Sequence, residues 1–89
     1  MDITFDPAKD QINQAKHGVS LALAELIEWS DVWFEVDDRA DYSEVREIGY
    51  SVINGRLYCV VYTQRGQAMH IISLRKANRR EVKRYDDET

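Results

Sequence analysis

The chain has 89 residues, a net charge of −4, 44% hydrophobic and 31% charged residues. That size and composition suit one small folded domain over residues 1–89 and exclude a disordered chain. Its single cysteine, Cys59, excludes an internal disulfide and a cysteine-based zinc site. No apolar stretch approaches the ~18 residues of a membrane span, and the opening MDITFDPAKD has neither the basic nor the apolar region of a secretion signal, so a cytoplasmic protein is expected.

Ile3 and Phe5 alternate with polar residues and predict a short first strand. Asp6-Pro7 then opens a helix, since Asp caps well and Pro suits the first helical position. Ala8, Ile12 and Ala15 give it a narrow apolar stripe up to Lys16-His17, and Gly18 supplies the stop. Ser20 is the expected cap of a second helix reaching about Trp29, with Leu23, Leu26 and Ile27 facing inward. Val32–Val36 reads as an aromatic strand, followed by an acidic loop from Asp37 to Ser43.

The clearest local signal is Asn54-Gly55 between the β-rich runs Glu44–Ile53 and Arg56–Gln64. Asn-Gly favours a two-residue type I′ turn, which fixes the register of a hairpin. Ile53 then pairs with Arg56, Val52 with Leu57, Tyr50 with Cys59 and Ile48 with Val61. That face is apolar and is expected to meet the helices, whereas Glu47/Tyr62, Gly49/Val60 and Ser51/Tyr58 form a mixed face expected to be open to solvent. A turn centred on Arg65-Gly66 leads into a strand over Met69–Arg75. It places Ile72 and Leu74 on the core face and Met69, Ile71, Ser73 and Arg75 on the other. Asn78-x-x-Glu81 resembles a capping box opening a last helix from Arg79 to Tyr85. The expected order is β-α-α-β-β-β-β-α, an α+β domain with one mostly antiparallel sheet and helices on one side.

Charge is segregated along the chain. Residues 1–44 carry 11 Asp/Glu against 3 Lys/Arg, residues 45–85 carry 9 Lys/Arg against 2 Asp/Glu, and Asp86, Asp87 and Glu88 close the chain. A phosphate senses charge within a Debye length of about 8 Å, so the second half suits an anionic partner despite the acidic total. A merely solvated face accounts for the same charges.

Arginine pairs bidentately with phosphate oxygens and keeps its charge. Arg46, Arg56, Arg65, Arg75 and Arg79 fall on or beside the predicted sheet, and Tyr58 and Tyr62 are interleaved as flat surfaces for unstacked bases. If the anion is RNA, cleavage needs the 2′-hydroxyl aligned on phosphorus, the developing charge stabilised and the leaving oxygen protonated. Arginines supply the second requirement without a metal, and the later strands are expected to bring them together. His70 reads either as a structural histidine beside Val61 or as a general acid or base, and a bulge would reverse its face. His17 reads first as a partner of the helix C-terminus and second as a catalytic group. Tyr85 anchors the last helix or donates a proton. Cys59 is expected to be a buried, inert thiol, and Asp37, Asp38 and Asp41 a solvated loop. There is no Gly-rich phosphate loop, no metal-spaced histidine pair and no G-x-S-x-G nucleophile, so neither a cofactor nor a metal is expected.

Phe5-Asp6-Pro7-x-Lys9 and Asn13-x-x-Lys16-His17-Gly18-Val19-Ser20 resemble the opening signature of the BrnT toxin family. Arg46-x-x-Gly49, Gly55-Arg56-Leu57, Val60-Val61-Tyr62-Thr63-x-Arg65 and Ile71-Ile72-Ser73-x-Arg75-x-Ala77-x-x-x-Glu81-x-x-x-Tyr85 continue it. The resemblance implies a RelE-like fold and a ribonuclease toxin of a type II toxin–antitoxin pair, which blocks translation by cutting RNA. It also implies a small neutralising antitoxin, BrnA, through which the complex meets operator DNA. By the same resemblance Arg65 and Arg75 are the phosphate or transition-state arginines, Arg46 and Tyr85 support them, and Lys16-His17-Gly18 has a structural role. His70 stands where arginine is common in the family, and Leu74 replaces a usual small residue. The implied catalytic set is Arg65, Arg75, His70, Arg46 and Tyr85, with Arg56, Tyr58, Tyr62, Lys76 and Arg79 for RNA binding. The competing reading is a non-catalytic partner-binding module, or an inactive toxin relic, within an autorepressing complex.

Overall fold

A computed structural model describes residues 1–89. The chain runs β1 (Asp2–Thr4), α1 (Pro7–His17), two 3₁₀ segments (Leu21–Leu26 and Trp29–Asp31), β2 (Trp33–Val36), β3 (Glu47–Ile53), β4 (Arg56–Arg65), β5 (Ala68–Lys76) and α2 (Arg79–Glu88). The five strands form one sheet in the order β1-β5-β4-β3-β2, with β1 parallel to β5 and every other pairing antiparallel.

The β3–β4 hairpin has the register its turn demands: Ile53 opposite Arg56, Tyr50 opposite Cys59, Ile48 opposite Val61. Asn54 and Gly55 both take positive φ, as a type I′ turn requires. The expectation that helices cover only one face is overturned. On one side, Val60, Tyr62, Ile53, Ile71 and Leu74 pack against Val19, Leu21, Ala24 and Ile27. On the other, Tyr50, Leu57, Cys59 and Ala77 pack with Trp33, Val82 and Tyr85. The mixed face expected in solvent is thus the larger core. The reason lies in β4, whose unbroken run Leu57–Tyr62 has apolar side chains for both faces.

The second helix is not α-helical. Leu21, Ala24 and Ile27 are the buried residues, three apart. That spacing lines up on one side of a three-residue turn, so a 3₁₀ segment buries Leu21 and Ala24 together with Ile27 at its C-cap. Leu26, expected inside, is exposed. In β5 the turn centres on Gly66-Gln67 instead of Arg65-Gly66, and Ile72 is an extra residue between the pairs Tyr62↔Ile71 and Val61↔Ser73. This bulge puts Leu74 in the larger core and turns Ser73 and Arg75 to the α2 side, the reverse of their expected faces.

α1 is fastened by one side chain. β1 pairs only with Ala68–His70, which leaves the outer edge of β5 unpaired further along. There the buried Asn13 amide takes the place of a strand: its Oδ1 accepts from Leu74 N at 3.2 Å, and its Nδ2 donates to the carbonyls of Leu74 at 2.7 Å and Val19 at 2.8 Å. The helix then closes at Gly18 with its last turn beside β5.

Candidate functional site

α2 covers only part of its side of the sheet. Beside it lies a cavity of about 300 Å³ lined by Lys16, His17, Arg39, Ile48, Tyr50, Cys59, Val61, Ser73, Arg75 and Glu81. Five parts of the fold meet there: the end of α1, the loop after β2, the central hairpin, bulged β5 and the first turn of α2. Three of the lining side chains are basic (Lys16, Arg39, Arg75), and Glu81 is the one carboxylate.

Arg75 forms a two-pronged pair with Glu81, its Nη1 and Nη2 donating to Oε1 and Oε2 at 2.7 and 2.8 Å. Glu81 also accepts from Asn78 N at 2.9 Å and from the Tyr50 hydroxyl at 3.2 Å. The hydrogen bonds from Arg75 hold the Glu81 carboxyl down at about 2. Burial pushes the Tyr50 phenol and the Cys59 thiol up, so both stay protonated. Partial burial, reinforced by the charges of Lys16 and Arg75, lowers the His17 imidazole below its ordinary 6.5.

Arg39 is held by Asp37, its Nε and Nη2 each donating at 2.8 Å. Asp37 is buried, not solvated as expected, and the hydrogen bonds from Arg39 pull it to about 2. Asp37 N donates to Arg46 O at 2.8 Å, so the acidic loop is tied to the start of β3 while Arg39 stays in contact with solvent.

The arginines expected to converge are distributed over three places. Arg75 alone enters the cavity. Arg65 lies outside it and pairs with Glu44 at 2.6 Å. Arg65, then His70 and Arg46, lower the Glu44 carboxyl, which marks these four as neighbours. The His70 Nδ1 lies 2.8 Å from the Thr4 hydroxyl, and Arg46 stacks 4.0 Å over the Tyr42 ring with its buried Nε unpartnered. Arg56 and Arg79, with Lys83, Asp86 and Asp87, line a second concavity between the hairpin turn and α2. Lys76 is exposed at the end of β5.

One aromatic expectation fails. Tyr62 is 3% exposed and packs edge-on against Trp29 at 4.8 Å, so no base can stack on it. Tyr58 is half-buried against the same core. Tyr85 lies edge-on to Trp33 at 6.2 Å and is an anchor of α2 in the smaller core. Sequence reasoning missed Lys16 and Arg39 as cavity residues and held catalysis only as the second reading of His17. Arg39 had one available signal, as the lone cation in an acidic loop. For Lys16 and His17 nothing local marks the approach of a helix end to a strand so distant in the chain as β5.

The family model described as ribonuclease toxin, BrnT, of type II toxin-antitoxin system matches residues 5–81. No curated protein gives a match.

Proposed function

The chain belongs to the BrnT family of ribonuclease toxins of type II toxin–antitoxin systems, and we propose that it cuts RNA without a metal ion at the cavity around Arg75. The observation that carries this reading is the meeting of Lys16, Arg39 and Arg75 with His17 around one concavity of nucleotide size. Cations fixed in a partly desolvated site stabilise the charge that grows on a phosphate as the 2′-hydroxyl attacks it. Glu81 occupies the Arg75 fork in the free chain, so a phosphate must displace it or share the guanidinium with it. Arg65, Arg46 and His70 are proposed as contacts for the RNA beyond the scissile phosphate, with Arg56, Lys76 and Arg79 farther along. A BrnA-like antitoxin is proposed as the neutralising partner, and as the complex's only route to operator DNA.

Purified chain incubated with RNA is expected to cleave it equally with and without EDTA. Arg75→Ala should lower the rate by about 10²–10³, the usual effect of removing one charged donor from such a site. An intact substrate at high protein concentration, or an EDTA-sensitive rate, refutes the metal-free nuclease. The pairing of both Arg65 and Arg75 with acids favours a second reading, a partner-binding module or relic without activity. In that case His70→Arg restores cleavage that the parent chain lacks if the histidine is what inactivated it.

A further inference from the structure

The end of α1 supplies the cavity with a group that the arginines cannot replace. Transesterification needs a base for the 2′-hydroxyl proton as well as cations for the phosphate. The cavity brings together side chains from every surrounding element: Lys16 and His17 from α1, Arg39 from the loop, Tyr50 from β3, Cys59 from β4, Ser73 and Arg75 from β5, Glu81 from α2. Hydrogen bonds to Asp37 and Glu81 hold Arg39 and Arg75 in their charged form, and Lys16 is counted with the cations that meet the phosphate. Tyr50 and Cys59 are buried and kept protonated, and a serine hydroxyl is no base by itself. Both Glu81 oxygens are occupied by Arg75, the Asn78 amide and the Tyr50 hydroxyl. His70 lies outside the cavity with Nδ1 engaged by Thr4.

We infer that His17 is the catalytic residue that takes the proton from the attacking 2′-hydroxyl, an inference that rests on the RNA-cleaving reading above. The O2′–P bond forms as the O2′ proton passes to the free ring nitrogen of neutral His17. The P–O5′ bond breaks, its electron pair stays on O5′, and O5′ takes a proton from a water molecule. The hydroxide so formed takes the proton back from the imidazolium. The products are a 2′,3′-cyclic phosphate and a 5′-hydroxyl. Lys16 and Arg75 serve twice, attracting the phosphate and adding to burial in lowering the His17 imidazole below its ordinary value.

The test is the rate of cleavage of an RNA oligonucleotide by the full chain between pH 5 and 8 in EDTA, with circular dichroism to verify that each variant folds. The wild-type rate is expected to fall on the acid side with a midpoint below 6.5. His17→Gln should lose 10²-fold or more in rate and lose that acid limb with it. Lys16→Met should move the limb to higher pH, a displacement that a merely structural lysine would not produce. A wild-type chain that leaves RNA intact overturns the nuclease reading and this inference together. A cleaving wild type whose His17→Gln variant keeps the acid limb, at full or reduced rate, overturns the His17 assignment alone.

Discussion

Asn13 shows how a single polar side chain decides where a functional group ends up. Its amide satisfies both backbone groups of Leu74 and the carbonyl of Val19, and it is almost wholly buried. Asn13→Ala leaves three buried backbone partners unpaired and is expected to lower the unfolding free energy by about 2–3 kcal/mol, as measured by urea titration. A change within 0.5 kcal/mol would mean that water replaces the amide at no cost. The carboxyls give a second prediction at this scale. Glu81 and Asp37 titrate at about 2 in the fold, below their ordinary 4.5 and 3.8. A depressed folded value contributes stability that is complete above the unfolded value and lost as pH falls toward the folded one. Stability should therefore decline from about pH 4.5 down to pH 2, and Glu81→Gln should flatten that decline. A variant with the same pH dependence as the parent contradicts the assignment.

At the scale of elements, packing fixes what propensity leaves open. β2 closes against β3 because Gly49 has no side chain: a Cβ there would lie 2.6 Å from Val32 Cγ1 and 3.1 Å from Tyr62 Cε1. Gly49→Ala is expected to destabilise by about 1–3 kcal/mol through overpacking. Adding Val32→Ala, which removes the nearer atom, should restore part of the loss. If the double variant is less stable than the sum of the two single changes, the clash is not with Val32. The bulge at Ile72 acts on the site in a comparable way, since it turns Arg75 onto the α2 side where Glu81 and the end of α1 meet it.

The whole molecule places its charges in a way the net total hides. Four of the nine cations from Arg46 to Arg84 are paired, Arg65 with Glu44, Arg75 with Glu81, Lys83 with Asp87 and Arg84 with Glu35. The family's activity thus has to operate against these internal competitors, and salt dependence reports which cations RNA reaches. On the proposed path Arg56 and Arg79 contact phosphates one each. The Arg56→Ala/Arg79→Ala variant should then reduce the slope of log affinity against log salt by about 1.4, at ~0.7 for each single-strand phosphate. An unchanged slope would remove the hairpin end from the RNA path.

Local chemistry wrote much of this protein plainly. The Asp6-Pro7 start, the Gly18 stop, the Asn54-Gly55 register and the Asn78/Glu81 capping box are each decided within a few residues, and each appears in the fold. So does the burial of Cys59, and the family likeness read from the sequence holds, with the family model matching residues 5–81. Which face is buried, which side of the sheet Arg75 takes and against which strand the end of α1 lies were decided elsewhere. They depend on a bulge, a two-sided β4 and an amide bonded to a strand 61 positions away. Contacts between distant segments have no period or spacing in the chain to betray them. The group of Lys16, His17, Arg39 and Arg75 consequently exists only once α1, the acidic loop and β5 have packed together.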